Sequence, residues 1–209
     1  MTRRDEQREE TRQRIAEAAA AVLVTGGGTP PSTLAVQRAA GVSRGALLHH
    51  FPSRAHLLAA AVATLRAGNA AAVRDALAEA QGADAVERAV RALAASAVRP
   101  EMSAEYGLWA ASRADDDLRQ ALRGQERDAR DSLHAVVGGA FGPDLVAHPA
   151  FPRVAALTVQ FMRGLAVTQS LRDTGARTDA LTQDWATAVR LLLGDRTFSS
   201  TLPPHSPGG

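Results

Sequence analysis

The first clear pattern along the chain is that of an amphipathic helix. Between residues 11 and 25, apolar side chains recur at spacings of three and four, so that Ile15 and Leu23 share one face. The glycines at 26–28 end this helix, and the two prolines that follow prevent it from resuming. Residues 1–10 alternate charges and are expected to form a frayed arm. The chain therefore opens with one helix that buries a single face.

Two short helices follow, joined by a tight turn. Ser32 is placed to cap the first of them, because its hydroxyl can accept a hydrogen bond from a free N–H group at the helix start. Gly41 can adopt a positive φ at the turn, where a side chain would be strained. Ser43 then caps a recognition helix over about 43–51, which Pro52 stops. This order of caps, glycine and proline predicts two helices that meet at a corner.

The second of these short helices has one apolar side and one side of small and polar residues. With Leu47 and Phe51 turned inward, a rotation of about 100° per residue places Gly45 and His49 on the opposite side. Arg44 lies in the first turn. Small residues let a helix approach the major groove closely, and Arg is the best bidentate reader of guanine. The pattern favours a DNA-reading helix-turn-helix over a plain helical corner with a surface arginine.

The rest of the chain also has helical periodicity. A fourth helix is predicted over 53–80, with a possible kink at Gly68-Asn69. Prolines punctuate five further helices, which are expected over 84–98, 101–113, 115–141, 151–174 and 179–193. Runs of β-branched and aromatic residues are nearly absent, so the predicted fold class is all-α. The tail at 197–209 is expected to be disordered.

Composition and charge narrow the function only slightly. The 209 residues suit one large domain or two small ones, and the absence of cysteine excludes disulfides and thiolate metal sites. Since no apolar run reaches about 18 residues and no apolar signal core is visible, we expect no membrane span and a cytoplasmic protein. The net charge is +2, but residues 1–57 hold eight Arg against five acidic residues. That mild basic excess agrees with nucleic acid binding.

Three groups of residues could suggest other chemistry. His49, His50 and His56 lack the spacing that places metal ligands together on one helix face. The acidic run at 115–117 stands at a helix start, where a cap is the simpler explanation. The triple glycine follows no strand and precedes no Gly-Lys-Ser/Thr, so a phosphate loop is not indicated. We therefore expect no metal and no cofactor.

The stretch over 11–65 resembles the TetR family of bacterial transcriptional regulators. The matching motifs are Thr-Arg-x-Arg-Ile at 11–15, Ala-Ala-Gly-Val-Ser-Arg-Gly at 39–45, Leu47, His-His-Phe-Pro-Ser-Arg at 49–54 and Leu57-Leu58. The resemblance implies an N-terminal three-helix, homeodomain-like helix-turn-helix DNA-binding domain, assigned to 1–57. It also implies a C-terminal helical ligand-binding and dimerisation domain, assigned to 58–196.

The resemblance also implies which residues contact DNA. Those expected to face bases are Arg44, Gly45, Ala46 and His49. Those expected to contact phosphates are Thr11, Arg12, Ser32, Ser43, His50 and Arg54. One departure weakens this assignment, because Leu48 stands where the family usually has a tyrosine and a phosphate-binding hydroxyl is therefore missing.

The last two predicted helices each carry an apolar stripe. These stripes could cover the chain's own core, but their place at the end of the chain and the family pattern favour a four-helix interface between two subunits. The candidate interface residues are Val154, Leu157, Leu165, Leu171, Leu181, Trp185, Val189 and Leu192. A two-fold dimer would read a near-palindromic operator in double-stranded DNA.

A small-molecule pocket is expected between the fourth helix, over 53–80, and the eighth predicted helix, over 151–174, because the family has a pocket there. The candidate lining residues are Met102, Tyr106, Trp109, His134, Phe141, Phe161 and Met162. A site of this composition would suit an apolar or aromatic effector with a few polar anchors. Taken singly, each of these residues fits the protein core better than it fits a ligand contact.

The sequence thus predicts a dimeric, sequence-specific DNA-binding transcriptional regulator, a repressor released by an unknown small-molecule effector. The alternative is a helical ligand-binding or enzymatic protein that has lost DNA binding. No paired carboxylate or nucleophile–histidine–acid set stands out, so we expect no enzyme. A regulator without an inducer is a third possibility, which a second domain without a cavity would favour.

Overall fold

Every regular element in the described part of the chain is helical, which confirms the all-α class. A computed structural model describes residues 3–80, 84–123, 126–169 and 175–194. The helices are α1 (Arg3–Thr25), α2 (Thr33–Ala40), α3 (Arg44–His50), α4 (Arg54–Glu79), α5 (Ala85–Ala97), α6 (Pro100–Ala111), α7 (Asp116–Arg123), α8 (Glu126–Phe141), α9 (Pro143–Val146), α10 (Phe151–Gln169) and α11 (Gly175–Leu192).

The start of the first helix corrects one prediction. The expected frayed arm is helical from Arg3 onward, and its side chains are exposed. Asp5 and Glu6 lie in the first turn, where negative charge interacts favourably with the helix dipole. Arg, Glu and Gln are also good helix formers, so this charged stretch extends α1 without needing a buried face.

Most of the later boundaries fall within a few residues of the prediction. The helix expected over 115–141 is described as α7 and α8, on either side of residues 124 and 125. Asp115 caps α7 by accepting a hydrogen bond from the Leu118 N–H at 2.9 Å, which confirms the capping role. The short helix α9 was not predicted. Residues 170–174 and the tail at 197–209 lie outside the described residues.

The first of two cores lies beneath the helix-turn-helix. Ile15, Leu23, Val36 and Leu47 are buried in it together with the start of α4. Helices α6 and α7 contribute Ala104, Leu108 and Leu118 to the same core. The predicted domain division after residue 57 therefore does not coincide with a gap in the packing.

The second core is formed by α5, α8, α10, α11 and the far half of α4, with Met102 from α6. Its buried residues include Leu93, Phe141 and Met162. Arg190 of α11 is almost fully buried and binds Asp84, with Nε and Nη2 at 2.9 and 2.7 Å from the carboxylate. That carboxylate also caps α5, so the ion pair ties the last helix to the start of α5.

The loop between α1 and α2 contacts α6 through two glycines. A Cβ atom added to Gly107 of α6 would lie 2.9 Å from the Gly28 Cα atom, and Gly28 itself has φ +86°. Only glycine allows both this backbone conformation and this close approach. The loop between α1 and α2 therefore rests directly on α6.

Helix α4 is long and apolar enough to span a membrane by length and composition alone. In the structure it is instead a core helix. Leu57, Leu58, Ala61 and Val62 are buried against the helix-turn-helix, and Val73 is buried in the second core. Its apolar residues are thus used in packing within the protein, as in the central helix of a globular fold.

Candidate nucleic-acid interface

The corner between α2 and α3 is held by its two capping serines and by one glycine. The Ser32 hydroxyl accepts a hydrogen bond from the Ala35 N–H, and the Ser43 hydroxyl accepts one from the Ala46 N–H, both at 3.2 Å. Gly41 has φ +64°, which few residues other than glycine adopt. All three local predictions are confirmed, and together they fix how α3 leaves the turn.

The inner side of α3 is anchored by two large side chains. Leu47 and Phe51 are each 1% exposed and pack with Val36 in the first core. The guanidinium of Arg12 lies over the Phe51 ring, 5.1 Å from its centroid, on the side of α1. With its inner side fixed in this way, α3 can turn only one face toward a partner.

The residues predicted to face bases lie on that outer side. Arg44, Gly45 and His49 are exposed, and Ala46 is half-buried beside them. A side chain at Gly45 would meet only the Ser43 hydroxyl oxygen, 3.9 Å away. The outer face of α3 therefore carries small side chains around Gly45, with the positive charge of Arg44 at the helix start. Such a surface can approach the edges of base pairs in the major groove.

Of four further residues predicted to contact phosphates, three retain side-chain donors, namely Ser32, Ser43 and Arg12. Ser32 and Ser43 accept their capping bonds through a lone pair, so each retains a hydroxyl hydrogen to donate. Arg12 is exposed, and its ion pair with Glu9 at 3.9 Å is of the weak surface kind. Thr11 is half-buried and donates to a backbone carbonyl of its own helix.

His50 is less suited to act as a cation. Its Nδ1 atom is buried and has no hydrogen-bond partner among the described residues, and its ring meets that of His49 edge to face. Burial lowers the pKa of His50, and the charges of His49, Arg8 and Arg12 lower it further. The imidazole is therefore neutral at neutral pH and can offer phosphate a hydrogen bond but no charge.

Arg54 has a role that the sequence did not indicate. Its Nε donates to the Pro31 carbonyl at 3.1 Å, and its Nη2 donates to the Pro30 carbonyl at 2.9 Å. These bonds tie the start of α4 to the loop between α1 and α2. Two of the donor groups that a phosphate contact would use are thus already occupied.

Two exposed leucines also lie on the helix-turn-helix surface. Leu34 at the start of α2 is 53% exposed, and Leu48 on α3 is 44% exposed. Neither was singled out as a contact from the sequence, although Leu48 was recognised as a departure from the family pattern. Apolar side chains at such positions can contact the methyl group of thymine.

A cavity of about 670 Å³ lies between α4, α6, α8 and α10. Five of the seven residues predicted to line a pocket do line it: Met102, Tyr106, Trp109, His134 and Met162. The other two do not. Phe141 packs against Phe151 in the second core, and Phe161 stacks on Trp185, in each case with 5.6 Å between ring centroids.

The cavity also has charged walls, which the sequence did not indicate. Arg66 donates to Glu105 at 2.7 Å, and Arg163 lies 5.3 Å from the centroid of the Trp109 ring. Burial raises the pKa of Glu105, although Arg66 and Arg163 oppose that shift. The available signal for this site was Arg66, which lies in the middle of an apolar stretch of α4.

The predicted interface residues divide into two groups. Val154, Leu165 and Val189 are buried in the chain's own second core and leave little surface for a second subunit. Leu157 and Leu181 are 41% and 40% exposed, while Trp185 and Leu192 are partly buried. Leu171 lies outside the described residues. An apolar face on α10 and α11 therefore remains, made of Leu157, Phe161, Gly164, Leu181, Trp185 and Leu192.

Comparisons with known proteins match this geometry. Residues 15–61, which span the helix-turn-helix, match the family model described as bacterial regulatory proteins, tetR family. A sequence comparison with curated proteins gives no match.

Two solved structures have a similar fold over 88% of this chain. Salmonella enterica GusR is 21% identical with a TM-score of 0.58, and 96% of its chain is covered. A Rhodococcus sp. protein described as a TetR-family transcriptional regulator is 22% identical with a TM-score of 0.64, and 99% of its chain is covered. The helix-turn-helix segment thus matches the TetR family of bacterial regulatory proteins, and the chain as a whole shares its helical fold with these two structures.

Proposed function

We propose that this protein is a DNA-binding transcriptional regulator of the TetR family, and that it is a homodimeric repressor which a small molecule releases from a near-palindromic operator. The observation that carries the proposal is the course of α4. Its first turn is tied to the helix-turn-helix through Arg54, and its middle lines the cavity with Arg66 and Asn69. One continuous helix of 26 residues thus links the DNA-binding surface to the candidate effector site.

DNA recognition is assigned to the outer face of α3. Arg44 would read a base edge, Gly45 and Ala46 would allow close approach, and His49 would donate to a second base. Thr11, Arg12, Ser32, Ser43 and His50 would position the domain on phosphates. Arg54 would act mainly by holding the loop in place. Because DNA is its partner, the regulator would act in the cytoplasm.

The dimer is assigned to the apolar face of α10 and α11. This face is continuous, because Phe161 on one helix stacks on Trp185 of the other. Gly164 is exposed and has open space where a Cβ atom would lie, so a partner helix can approach closely. Packing against a second copy would form a four-helix interface and place two α3 helices for adjacent major grooves.

Release by a ligand is assigned to α4 and α6 together. Helix α6 lines the cavity with Glu105, Tyr106 and Trp109, and it contacts the helix-turn-helix end through Gly107. A ligand that fits the cavity better in one arrangement of these helices than in another would shift the spacing of the two α3 helices. Reduced DNA binding would follow from that mismatch.

A gel-shift assay against the DNA flanking the protein's own gene tests DNA binding. The wild type should give a sequence-specific, salt-sensitive shift. Arg44→Ala should weaken it by about 1–3 kcal/mol and relax the preference for one base pair. Arg74→Ala, an exposed change at the far half of α4, should leave the shift unchanged. Absence of a specific shift across that region would overturn the assignment.

Sedimentation of the wild type and of Trp185→Arg tests the dimer. The wild type should sediment as a dimer, whereas the variant should dissociate because a charge would be buried at the interface. Leu34→Arg, which adds a charge on an exposed residue of the helix-turn-helix, should remain dimeric. A monomeric wild type at micromolar concentration would contradict the proposed interface.

A further inference from the structure

The cavity between α4, α6, α8 and α10 contains a positive charge without a described counterion. Arg66 is paired with Glu105 at 2.7 Å. Arg163 also lines the cavity, but it forms no ion pair with any carboxylate in the described ranges. The cavity lining holds two arginines, Arg66 and Arg163, but a single carboxylate, that of Glu105.

Arg163 is held by aromatic groups, while Glu105, which is already paired with Arg66, interacts with its charge without forming an ion pair. Its guanidinium lies over the Trp109 ring and interacts with the Tyr106 hydroxyl. The Arg163 Nε and the Trp109 Nε1 atoms are both buried without a hydrogen-bond partner among the described residues. Unsatisfied donors of this kind are costly inside a protein, more so when the group is charged. A bound anion would accept hydrogen bonds from these two N–H groups and would also neutralise the charge of Arg163.

The rest of the cavity is suited to an apolar group. Ala63, Ala67, Leu133, Val159 and Met162 contribute to its walls. Its volume of about 670 Å³ lies within the usual range for small-molecule sites, which is roughly 300–1,000 Å³. The cavity thus combines one charged end with an apolar remainder.

We propose that the cavity binds a monoanion with an apolar or aromatic body, whose carboxylate or similarly charged group pairs with Arg163. The Trp109 indole N–H group donates a second hydrogen bond to that anion. This inference rests on the proposed function, since it names the chemical class of the effector. It also narrows the expectation from the sequence, an apolar or aromatic ligand with a few polar anchors, because it makes one of those anchors a charged one.

Isothermal titration calorimetry on the full-length protein without DNA tests the proposal. The probes are three acids and their neutral amides, namely 2-naphthoate and 2-naphthamide, 4-phenylbutyrate and 4-phenylbutanamide, and octanoate and octanamide. Each pair differs in charge and hardly in shape. We expect at least one acid to bind about tenfold or more tightly than its amide, because charge-assisted hydrogen bonds are the stronger kind.

Three variants separate the role of Arg163 from damage to the fold. Arg163→Met keeps an unbranched apolar stem and should abolish the preference for the acid over the amide. Arg153→Met changes an exposed arginine on the same helix and should leave that preference unchanged. Glu105→Gln leaves Arg66 without its counterion and should tighten binding of the acid. The opposite effects of Arg163→Met and Glu105→Gln cannot both arise from loss of folding.

Each outcome decides the matter. If none of the acids binds, if acids and amides bind equally, or if Arg163→Met retains the preference, the proposed ligand class is wrong. Gel shifts on the same preparations test the regulator separately. A protein that shifts its operator but binds no acid would support the proposed function and contradict the proposed ligand class. A protein that binds an acid but shifts no DNA would support the ligand class and contradict the proposed function.

Discussion

Replacing Gly107 with alanine would place a methyl group between two backbone segments that already touch. The added Cβ atom would lie 2.9 Å from the Cα atom and 3.1 Å from the carbonyl oxygen of Gly28. Both are backbone atoms, so no flexible side chain can swing away to make room. Either α6 or the loop between α1 and α2 must move.

Two opposing effects set the magnitude. In an open helical position, glycine to alanine stabilises the folded state by about 1 kcal/mol through helix propensity. Overpacking of a tight contact costs about 1–3 kcal/mol. Gly107→Ala should therefore lower the free energy of unfolding by up to about 2 kcal/mol. Gly68→Ala on α4 is the matched control, because a Cβ atom there meets nothing within 4 Å, and it should be stabilising by about 1 kcal/mol.

Urea unfolding followed by circular dichroism measures both variants. In a chain of this size, 1 kcal/mol corresponds to a change in Tm of about 2–4 °C, so thermal melts provide a second reading. The two variants should change stability in opposite directions, or differ by at least about 1 kcal/mol. A Gly107→Ala protein that gains as much stability as Gly68→Ala would refute the close contact.

Three further results are expected. Arg54→Met should lower the free energy of unfolding by about 1 kcal/mol in urea titrations, because two hydrogen bonds to loop carbonyls are lost; an unchanged midpoint would contradict that tie. Leu118→Ala should cost about 2–5 kcal/mol, while the exposed Leu191→Ala should stay within about 0.5 kcal/mol of wild type; equal effects would contradict the shared core. Burial raises the pKa of Glu105, so the folded chain holds this proton more tightly than the unfolded chain. Its stabilising contribution is full below the ordinary value of 4.5 and is lost as the pH rises through the raised pKa, so Glu105→Gln should remove that decline from unfolding curves measured at successive pH values.

The helix-turn-helix could be predicted almost completely from the sequence, because its determinants are local. Ser32 and Ser43 act on N–H groups three residues away, and Gly41 acts through its own φ. Leu47 and Phe51 are one helical turn apart and share a side by geometry alone. No distant residue is needed to specify these features.

The outward faces of α10 and α11 could be predicted only in part. An apolar stripe indicates burial, but it does not indicate whether the chain's own core or a second subunit covers it. Val154 and Leu157 are three residues apart on the same helix, yet the first is fully buried and the second is 41% exposed. The difference depends on where α5 and α8 lie against α10, which no local pattern specifies.

The charged end of the cavity also could not be predicted from local sequence patterns. Arg66, Glu105 and Arg163 come from three helices that are distant in sequence, and only the fold brings them together. Likewise, the acceptors of Arg54 are carbonyl groups more than twenty residues earlier in the chain. Backbone acceptors have no signature in the sequence, so this tie could not have been anticipated.

The two sides of α6 have a consequence for how the protein can be divided. Ala104 and Leu108 complete the core beneath the helix-turn-helix, while Met102 belongs to the other core. A fragment ending after α4 would expose the apolar surfaces that these residues and Leu118 cover. The helix-turn-helix should therefore not fold independently: fused to another protein without α6 and α7, it would lack part of its hydrophobic core. For the same reason, the whole chain should unfold in a single cooperative step.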